Sequence, residues 1–571
     1  MPAQEPMPTT QSLWRLRAAS PEAIDRLVHE LGISPLLARL LAARGVTEIE
    51  AAHRYLGHAP YELNPWALPG VDRASQRLLQ ALDSGEPVLV YGDYDADGVT
   101  STTLLFSYLA RAGYNAHYFL PHRFEDGYGM NRHALEDLAN RDFRLVVTVD
   151  NGIASVAEVA FARSLGMDVI VTDHHTPPEV LPEPYALINP RLGGCPPELA
   201  GLAGVGVAYT LASALEERAP SSGVEDLLDL VAIGSVADMA PLVGVNRTLV
   251  GRGLHRIATE PRPGLLAIAQ RSGMESLSAI TASDIGYRIG PRINAAGRMD
   301  HSEVGLKLFL AETPEDADVY ADELERLNRL RQETSKRVEA EARRLAEETV
   351  VPDRDAAIVL ASDSWHHGVI GIAAARLVES YARPVILLAG EGEVWKGSGR
   401  SPETANLFKA LEQCRDLLIR WGGHAQAAGV ALERDRLDAF RDRLSEAVRA
   451  QGLDLAERAP QWVDAEVSLA DVTPQAIREL AWLQPTGQGN PEPVLAVRDV
   501  AVARQKIRGK ERRHLFLELQ DGLELREAVG FNMGPLHPVP NRVSVAFTPE
   551  FNHFQGTVRM QLRLHGVAIA P

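Results

Sequence analysis

The sequence predicts an α/β protein: two α/β domains joined by a long helix, followed by a small antiparallel β-domain, either sandwich or barrel. Three observations carry this expectation. From Pro87 to about 240, short apolar runs alternate with helical stretches, as the strands of a parallel sheet buried on both faces do. A charged stretch with thinly spaced leucines follows from Pro314 to Val350. After about 460 the pattern changes to period-two alternation with Gly-containing turns.

Taken in order, residues 1 to about 70 read as a polar leader and short helices, the first opening at Pro21 behind Ser20, a suitable N-cap. Val88 to Tyr91, Asn115 to Leu120, Leu145 to Val149 and Asp168 to Thr172 are rich in β-branched or aromatic residues, which predicts buried strands. Leu230 to Ile233 reads as a further strand-like run, and helical sequence continues to about 310. In the connector, Leu324, Leu327, Leu330 and Val338 lie among charges. A second α/β pattern opens with Ala357 to Leu360, and Pro384 to Leu388 follows the helix-like Ile370 to Tyr381. His514 to Leu519 and Thr557 to Leu564 alternate as half-buried strands do.

The chain has 571 residues, 45% of them hydrophobic, and a formal charge of −18. That composition has ample apolar surface for several cores and excludes wholesale disorder. Cys195 and Cys414 lie far apart without a C-x-x-C spacing, so neither a disulfide scaffold nor a Cys-based zinc site is expected. The first twenty residues lack the apolar segment of a signal peptide, and Asp229 and Asp238 interrupt the most apolar stretch. A cytoplasmic protein without membrane contact is therefore expected. Net acidity argues against a nucleic-acid coat protein but does not exclude a nucleic-acid enzyme, because metal-binding carboxylates count as bare charge.

Several runs of the first domain lead into acids or histidine: Tyr91 into Asp93-Tyr94-Asp95-Ala96-Asp97-Gly98, Val149 into Asp150-Asn151-Gly152, Thr172 into Asp173-His174-His175, and Ile233 into Gly234 to Asp238. In an open parallel sheet, residues beyond the carboxyl ends of the strands converge on one crevice. Acids distant in sequence would then meet. The Asp-x-Asp-x-Asp-Gly run resembles the start of an EF-hand, but Leu104 stands where that loop needs Glu. Carboxylates gathered in one crevice repel each other unless cations neutralise them. Asp93, Asp95, Asp97, Asp150 and Asp238 supply five negative charges against the four positive ones of two divalent cations. Two ions bridged by a carboxylate would activate a water for attack on phosphorus. Hard oxygen donors select Mg²⁺ or Mn²⁺, and an imidazole tilts the choice toward Mn²⁺.

These four motifs resemble those of the DHH phosphoesterase superfamily. Further segments bring the resemblance close to its RecJ family of single-stranded-DNA exonucleases: Pro121 to Gly129, Gly290 to Arg298, Trp365 to Gly371, Gly397 to Ser401 and Gly422 to Gly429. The resemblance implies 5′-to-3′ degradation of single-stranded DNA in repair and recombination, with single-strand-binding protein and a helicase as partners. It also implies a leader and helical cap over 1–70, a DHH domain over 71–310, a connecting helix over 311–352, a DHHA1 domain over 353–458 and an OB-like domain over 459–571. Asp93, Asp95, Asp97, Asp150, His174 and Asp238 look like metal ligands, with Asp150 as the bridge and Asp93 either a ligand or a neighbouring acid. His175 is the candidate donor to the phosphate or leaving oxygen, and Asp173 would orient a histidine. A DHH enzyme for short oligonucleotides or cyclic dinucleotides, and a non-catalytic strand-binding scaffold, are the alternatives. The additional β-domain and the retained acids favour the exonuclease.

For the nucleic acid, Arg292, Asn294 and Arg298 can grip phosphate from a Gly- and Pro-containing segment. The resemblance adds Arg123 and Tyr128. Ser398, Arg400 and Ser401, with Gly422 and His424, combine close backbone approach with polar donors; taken alone, each segment reads as a flexible turn. His366-His367 reads as a helix entry, as does Gly201 to Gly206. Residues 501 to 571 hold ten Lys/Arg and six Asp/Glu, a local balance of +4. Lys506 and Arg508 belong to that basic stretch, with Phe551 and Phe554 as stacking candidates and Phe516 as a core residue.

Overall fold

The computed structural model describes residues 14–569, apart from 60, 124–125, 128, 221–222, 352–353, 391, 453–460, 510–511 and 555–556, and leaves the side chains of 553, 554, 557 and 569 undescribed. Strand β1 (Trp14–Leu16) precedes three helices, Pro21–Leu31, Pro35–Ala43 and Ile49–Tyr55. Ser20 caps the first by accepting the Ala23 N–H.

The first sheet contains β2 (Val88–Tyr91), β3 (Ala116–Phe119), β4 (Leu145–Val149), β5 (Asp168–Thr172) and β6 (Ala186–Ile188). All five are parallel, in the order β3-β2-β4-β5-β6. The chain moves from β2 outward to β3 and returns on the other side of β2 to β4. Winding therefore reverses between β2 and β4, and such a reversal opens a crevice at the carboxyl ends of those strands. Leu230 to Ile233 is not a strand. It lies inside the helix Leu228–Ala237, buried from Leu228 to Ser235. A helix enclosed on all sides is apolar all round, so a short apolar run carries no periodicity that separates it from a buried strand.

The helix Pro314–Thr349 runs 36 residues, about 54 Å at 1.5 Å per residue. It leads to β7 (Ile358–Ser362), β8 (Val385–Ala389), β9 (Val394–Arg400), β10 (Arg420–Gly423) and β11 (Ala427–Glu433), ordered β10-β11-β9-β8-β7, in which only β7 and β8 are parallel. Gly397 to Arg400 thus lies within a strand paired on both sides rather than in a turn.

Strands β12 (Gln461–Val463) and β13 (Ala465–Glu466) lead into β14 (Leu495–Arg508), β15 (His514–Asp521), β16 (Glu524–Gly530), β17 (Arg542–Phe554) and β18 (Thr557–Ile569). β14 pairs with both β15 and β17, which closes these last five strands into a barrel. The N-terminal helices pack on it: Leu27, Leu37, Leu40 and Leu41 share one apolar core with Leu495, Val543 and Phe547, and β1 pairs with β12. Arg247 ties this unit to the first domain by donating to the carbonyls of Tyr55, Trp482, Leu483, Gln484 and Pro485. No described helix is long and apolar enough to cross a membrane.

Candidate metal centre and strand-binding cleft

The acids gather at the reversal between β2 and β4. Asp95 accepts the N–H groups of Asp97 and Gly98 at 2.9 and 3.0 Å, and so starts the helix Ala96–Arg111. Asp97, in its first turn, accepts the Gly204 and Val205 N–H groups at 2.7 and 2.9 Å, facing the positive end of the helix Gly204–Arg218. Gly201 to Gly206 is thus the helix entry expected, and it also anchors an acid. Gly204 is needed there, since a Cβ would lie 2.7 Å from that of Asp150. Asp150 follows β4 with φ of 62°, a left-handed conformation that costs about 1–2 kcal/mol in an L-residue. Asp238 closes the helix Leu228–Ala237.

His174 Nε2 lies 3.1 Å from Asp150, 3.7 Å from Asp238 and 3.8 Å from Asp97. Three sets of donor atoms come within 4.8 Å of one another: Asp150 with His174 and His175, Asp97 with His174 and Asp238, and Asp93 with Asp95 and Asp150. Asp150 belongs to two of them. Asp173 stands apart from the cluster. It accepts the N–H groups of Ile153, His174 and His175, and the His175 Nδ1 at 2.7 Å.

The electrostatics match that geometry. Burial and then the neighbouring acids push the carboxyls of Asp93, Asp97, Asp150 and Asp238 well above the ordinary range. Burial and the adjacent His175 push His174 down to about 3, so its ring is neutral and able to donate a lone pair. For His175, burial opposes charge, but the Asp173 hydrogen bond and carboxylate outweigh it and raise the ring to about 9. Asp93 Oδ1, Asp150 Oδ1 and His174 Nε2 are buried without a hydrogen-bond partner among the described residues. Stranded acceptors of this kind are costly in a protein interior unless cations satisfy them.

Beside the acids lies a cavity of about 310 Å³ lined by Arg123, Asn294, Arg298, Tyr94 and Met239. Arg298 is pushed down to about 10 by burial and by the charges of Arg123, Arg400 and Arg331. Among the described residues, no carboxylate pairs with Arg123, Arg298 or Arg400: Arg123 stacks on Tyr94 at 4.9 Å, Arg298 donates to the Gly368 carbonyl, and Arg400 donates to Ser398 and Gly399. Guanidinium groups gathered without carboxylates suit an anion. The helix His367–Tyr381, entered through His366 as expected, places Gly368 against the Arg298 main chain and Gly371 against Ser398 and Arg400, so both α/β domains build this wall.

Some expected contacts are committed elsewhere. Arg292 lies on the helix Gly290–Met299, paired with Glu325 at 2.8 Å and bonded to the Arg288 carbonyl, and it does not line the cavity. Asn294 lines the cavity, but its amide oxygen accepts the Ala96 N–H and so holds the acidic loop. Ser401 is buried and donates to the Ala405 carbonyl. Gly422 and His424 are exposed at the β10–β11 hairpin. Tyr128 lies outside the described residues, as does the side chain of Phe554.

On the barrel, Lys506 and Arg508 line a groove of about 620 Å³ with Arg504, Asn552, Arg559 and Phe516. Phe516 therefore faces outward, with Arg508 over its ring at 5.4 Å, while Leu515, Leu517 and Leu519 fill the core. Phe551, one residue before Asn552, is absent from this lining. Arg331 was missed, although a signal existed: it stands four residues from Leu327 and seven from Val338, where the apolar stripe of the connecting helix calls for an inward side chain.

The comparisons follow the same order along the chain. Residues 87–235 match the N-terminal domain model of the DHH family, 354–450 the DHHA1 domain and 463–566 the RecJ OB domain. The single-stranded-DNA-specific exonuclease RecJ of Salmonella typhimurium is 38% identical over 555 residues, covering 93% of this chain and 95% of that protein. The crystal structure of RecJ from Thermus thermophilus with Mn²⁺ superposes with a TM-score of 0.84 at 32% identity, covering 98% of this chain and 80% of that one. Its Mg²⁺ complex gives 0.78 at 30%, covering 98% and 79%. With sequence and fold alike over nearly its whole length, this chain belongs to the RecJ family of single-stranded-DNA-specific exonucleases.

Proposed function

We propose that the chain is a single-stranded-DNA exonuclease acting in the 5′-to-3′ direction in repair and recombination. The observation that carries this is the cluster of buried acids and His174, with stranded donor atoms, set against guanidinium groups that have no carboxylate partner among the described residues. The donor set fits two divalent cations, Mn²⁺ or Mg²⁺, which Asp93, Asp95, Asp97, Asp150, His174 and Asp238 would hold. When bound, such ions supply Lewis-acid activation of water and neutralise phosphate charge.

The remaining chemistry belongs to the chain. Arg123, Arg298 and Arg400 draw the phosphate into the cleft and orient it by paired hydrogen bonds. Asn294 and the helix Gly204–Arg218 keep Asp95 and Asp97 in place. His175, anchored on Asp173, donates a proton or hydrogen bond to the phosphate or to the leaving oxygen as the phosphorus–oxygen bond breaks. The barrel groove holds the strand farther out, stacking a base on Phe516. Delivery of the strand by single-strand-binding protein and a helicase, in the cytoplasm, completes this reading.

The test is digestion of long single strands labelled at the 5′ or 3′ end, beside a dinucleotide, across Mn²⁺, Mg²⁺ and chelator. Loss of the 5′ label first, abolished by chelator, is the expected result. Cleavage of the dinucleotide with both long strands untouched would replace this reading with that of a short-oligonucleotide phosphodiesterase.

A further inference from the structure

The helix Leu228–Ala237 ends in a turn closed by two main-chain hydrogen bonds, from Met239 N–H to the Val236 carbonyl at 3.1 Å and from Ala240 N–H to the Ser235 carbonyl at 3.0 Å. In this arrangement the residue just past the helix end is left-handed, and glycine is its usual occupant. Here it is Met239, with φ of 60°. A long L side chain is disfavoured in that conformation. Burial does not compensate, because Met239 is 69% exposed.

The placement explains what the helix end does not. Met239 follows Asp238 directly and lines the cavity between the acids and Arg298. Besides Tyr94, it is the large apolar surface in a lining of carboxylates, guanidinium groups, an amide and small residues. A strand whose phosphate is drawn to the acids and arginines brings a sugar and a base to this mouth. An unbranched thioether packs against rings of varied shape, which suits an enzyme that must accept every base.

We infer that Met239 is a positioning residue that packs against the base or sugar at the scissile phosphate and holds that phosphate in register with the acids. The inference rests on the exonuclease reading above.

Its test compares strands with an intact or an abasic 5′-terminal nucleotide, in Mn²⁺, for the unaltered protein, Met239→Gly and Met239→Leu. The unaltered protein is expected to favour the intact end about tenfold in kcat/KM. Met239→Gly should reduce that preference to within about twofold, and Met239→Leu should restore most of it. Because glycine suits the left-handed turn, Met239→Gly should melt no lower than the unaltered protein. A preference undiminished in Met239→Gly, an equal loss on both strands, or no preference in the unaltered protein would overturn the role of Met239 while leaving the exonuclease reading in place. Failure of the unaltered protein to cut either strand would instead overturn that reading, and the inference with it.

Discussion

On one side of the cleft, Asp93, Asp95, Asp97, Asp150 and Asp238 sit directly at the ends of strands and helices of a single domain. On the other, Arg123 and Arg298 reach in on long side chains from the segment after β3 and the helix Gly290–Met299, with Arg400 on β9 close enough for its charge to act on Arg298. The acids are short and fixed by backbone, down to main-chain N–H groups on both oxygens of Asp97. Such rigidity suits ions with narrow demands on distance and geometry. The arginines need two domains docked together, as the approach of Gly368, on the helix that also packs against Arg400, to the Arg298 main chain requires. On the proposed reading, one wall does the chemistry and the other holds the strand.

This contrast breaks first if the acidic wall can be damaged without loss of chemistry. Asp150→Ala is expected to lower cleavage of every substrate, long or short, by about three orders of magnitude or more while leaving strand affinity largely intact. Residual cleavage near the unaltered level would remove Asp150 from the proposed metal ligands. Arg400→Ala should reduce kcat/KM on single strands about 10- to 100-fold by removing charge-assisted hydrogen bonds, with Arg400→Lys recovering only part because lysine lacks the planar fork. An equal loss of thermal stability in both variants, with kinetics unchanged, would make Arg400 a structural residue.

Smaller effects sharpen the comparison. Phe516→Ala should weaken binding of a long strand about tenfold, since stacking contributes about 1–3 kcal/mol per base, and leave dinucleotide cleavage unaltered. Titration of a fluorescent strand reads the first, and product release the second. Arg292→Ala should cost only about 1 kcal/mol of stability, because Glu325 keeps its pairing with Arg329, with kcat/KM moving less than about twofold. A large kinetic loss there would return Arg292 to the phosphate.

Much of this was legible in the sequence, for stated reasons. Parallel strands buried on both faces are continuous apolar runs, and the acids that follow them had to converge wherever the sheet reversed its winding. The same rule misled at Leu230 to Ile233, where a helix enclosed by neighbours is equally apolar. Arg292 and Ser401 were assigned by residue type, whereas their partners, Glu325 and the Ala405 carbonyl, are brought to them only by folding. Phe516 was placed in the core by residue type, although the period-two pattern sets it with His514 and Glu518 on the face opposite Leu515, Leu517 and Leu519. The packing of the N-terminal helices on the C-terminal barrel joins segments some 450 residues apart, and nothing local to either announces it.

The central claim is that these acids and His174 enclose divalent cations. Anomalous scattering at the manganese edge, from crystals soaked in Mn²⁺, tests it most directly. The account predicts two peaks, one among Asp97, Asp150, His174 and Asp238 and one among Asp93, Asp95 and Asp150, both weakened or lost in Asp150→Ala. A fully soaked crystal with no peak among these side chains, or with manganese bound only elsewhere, would contradict it.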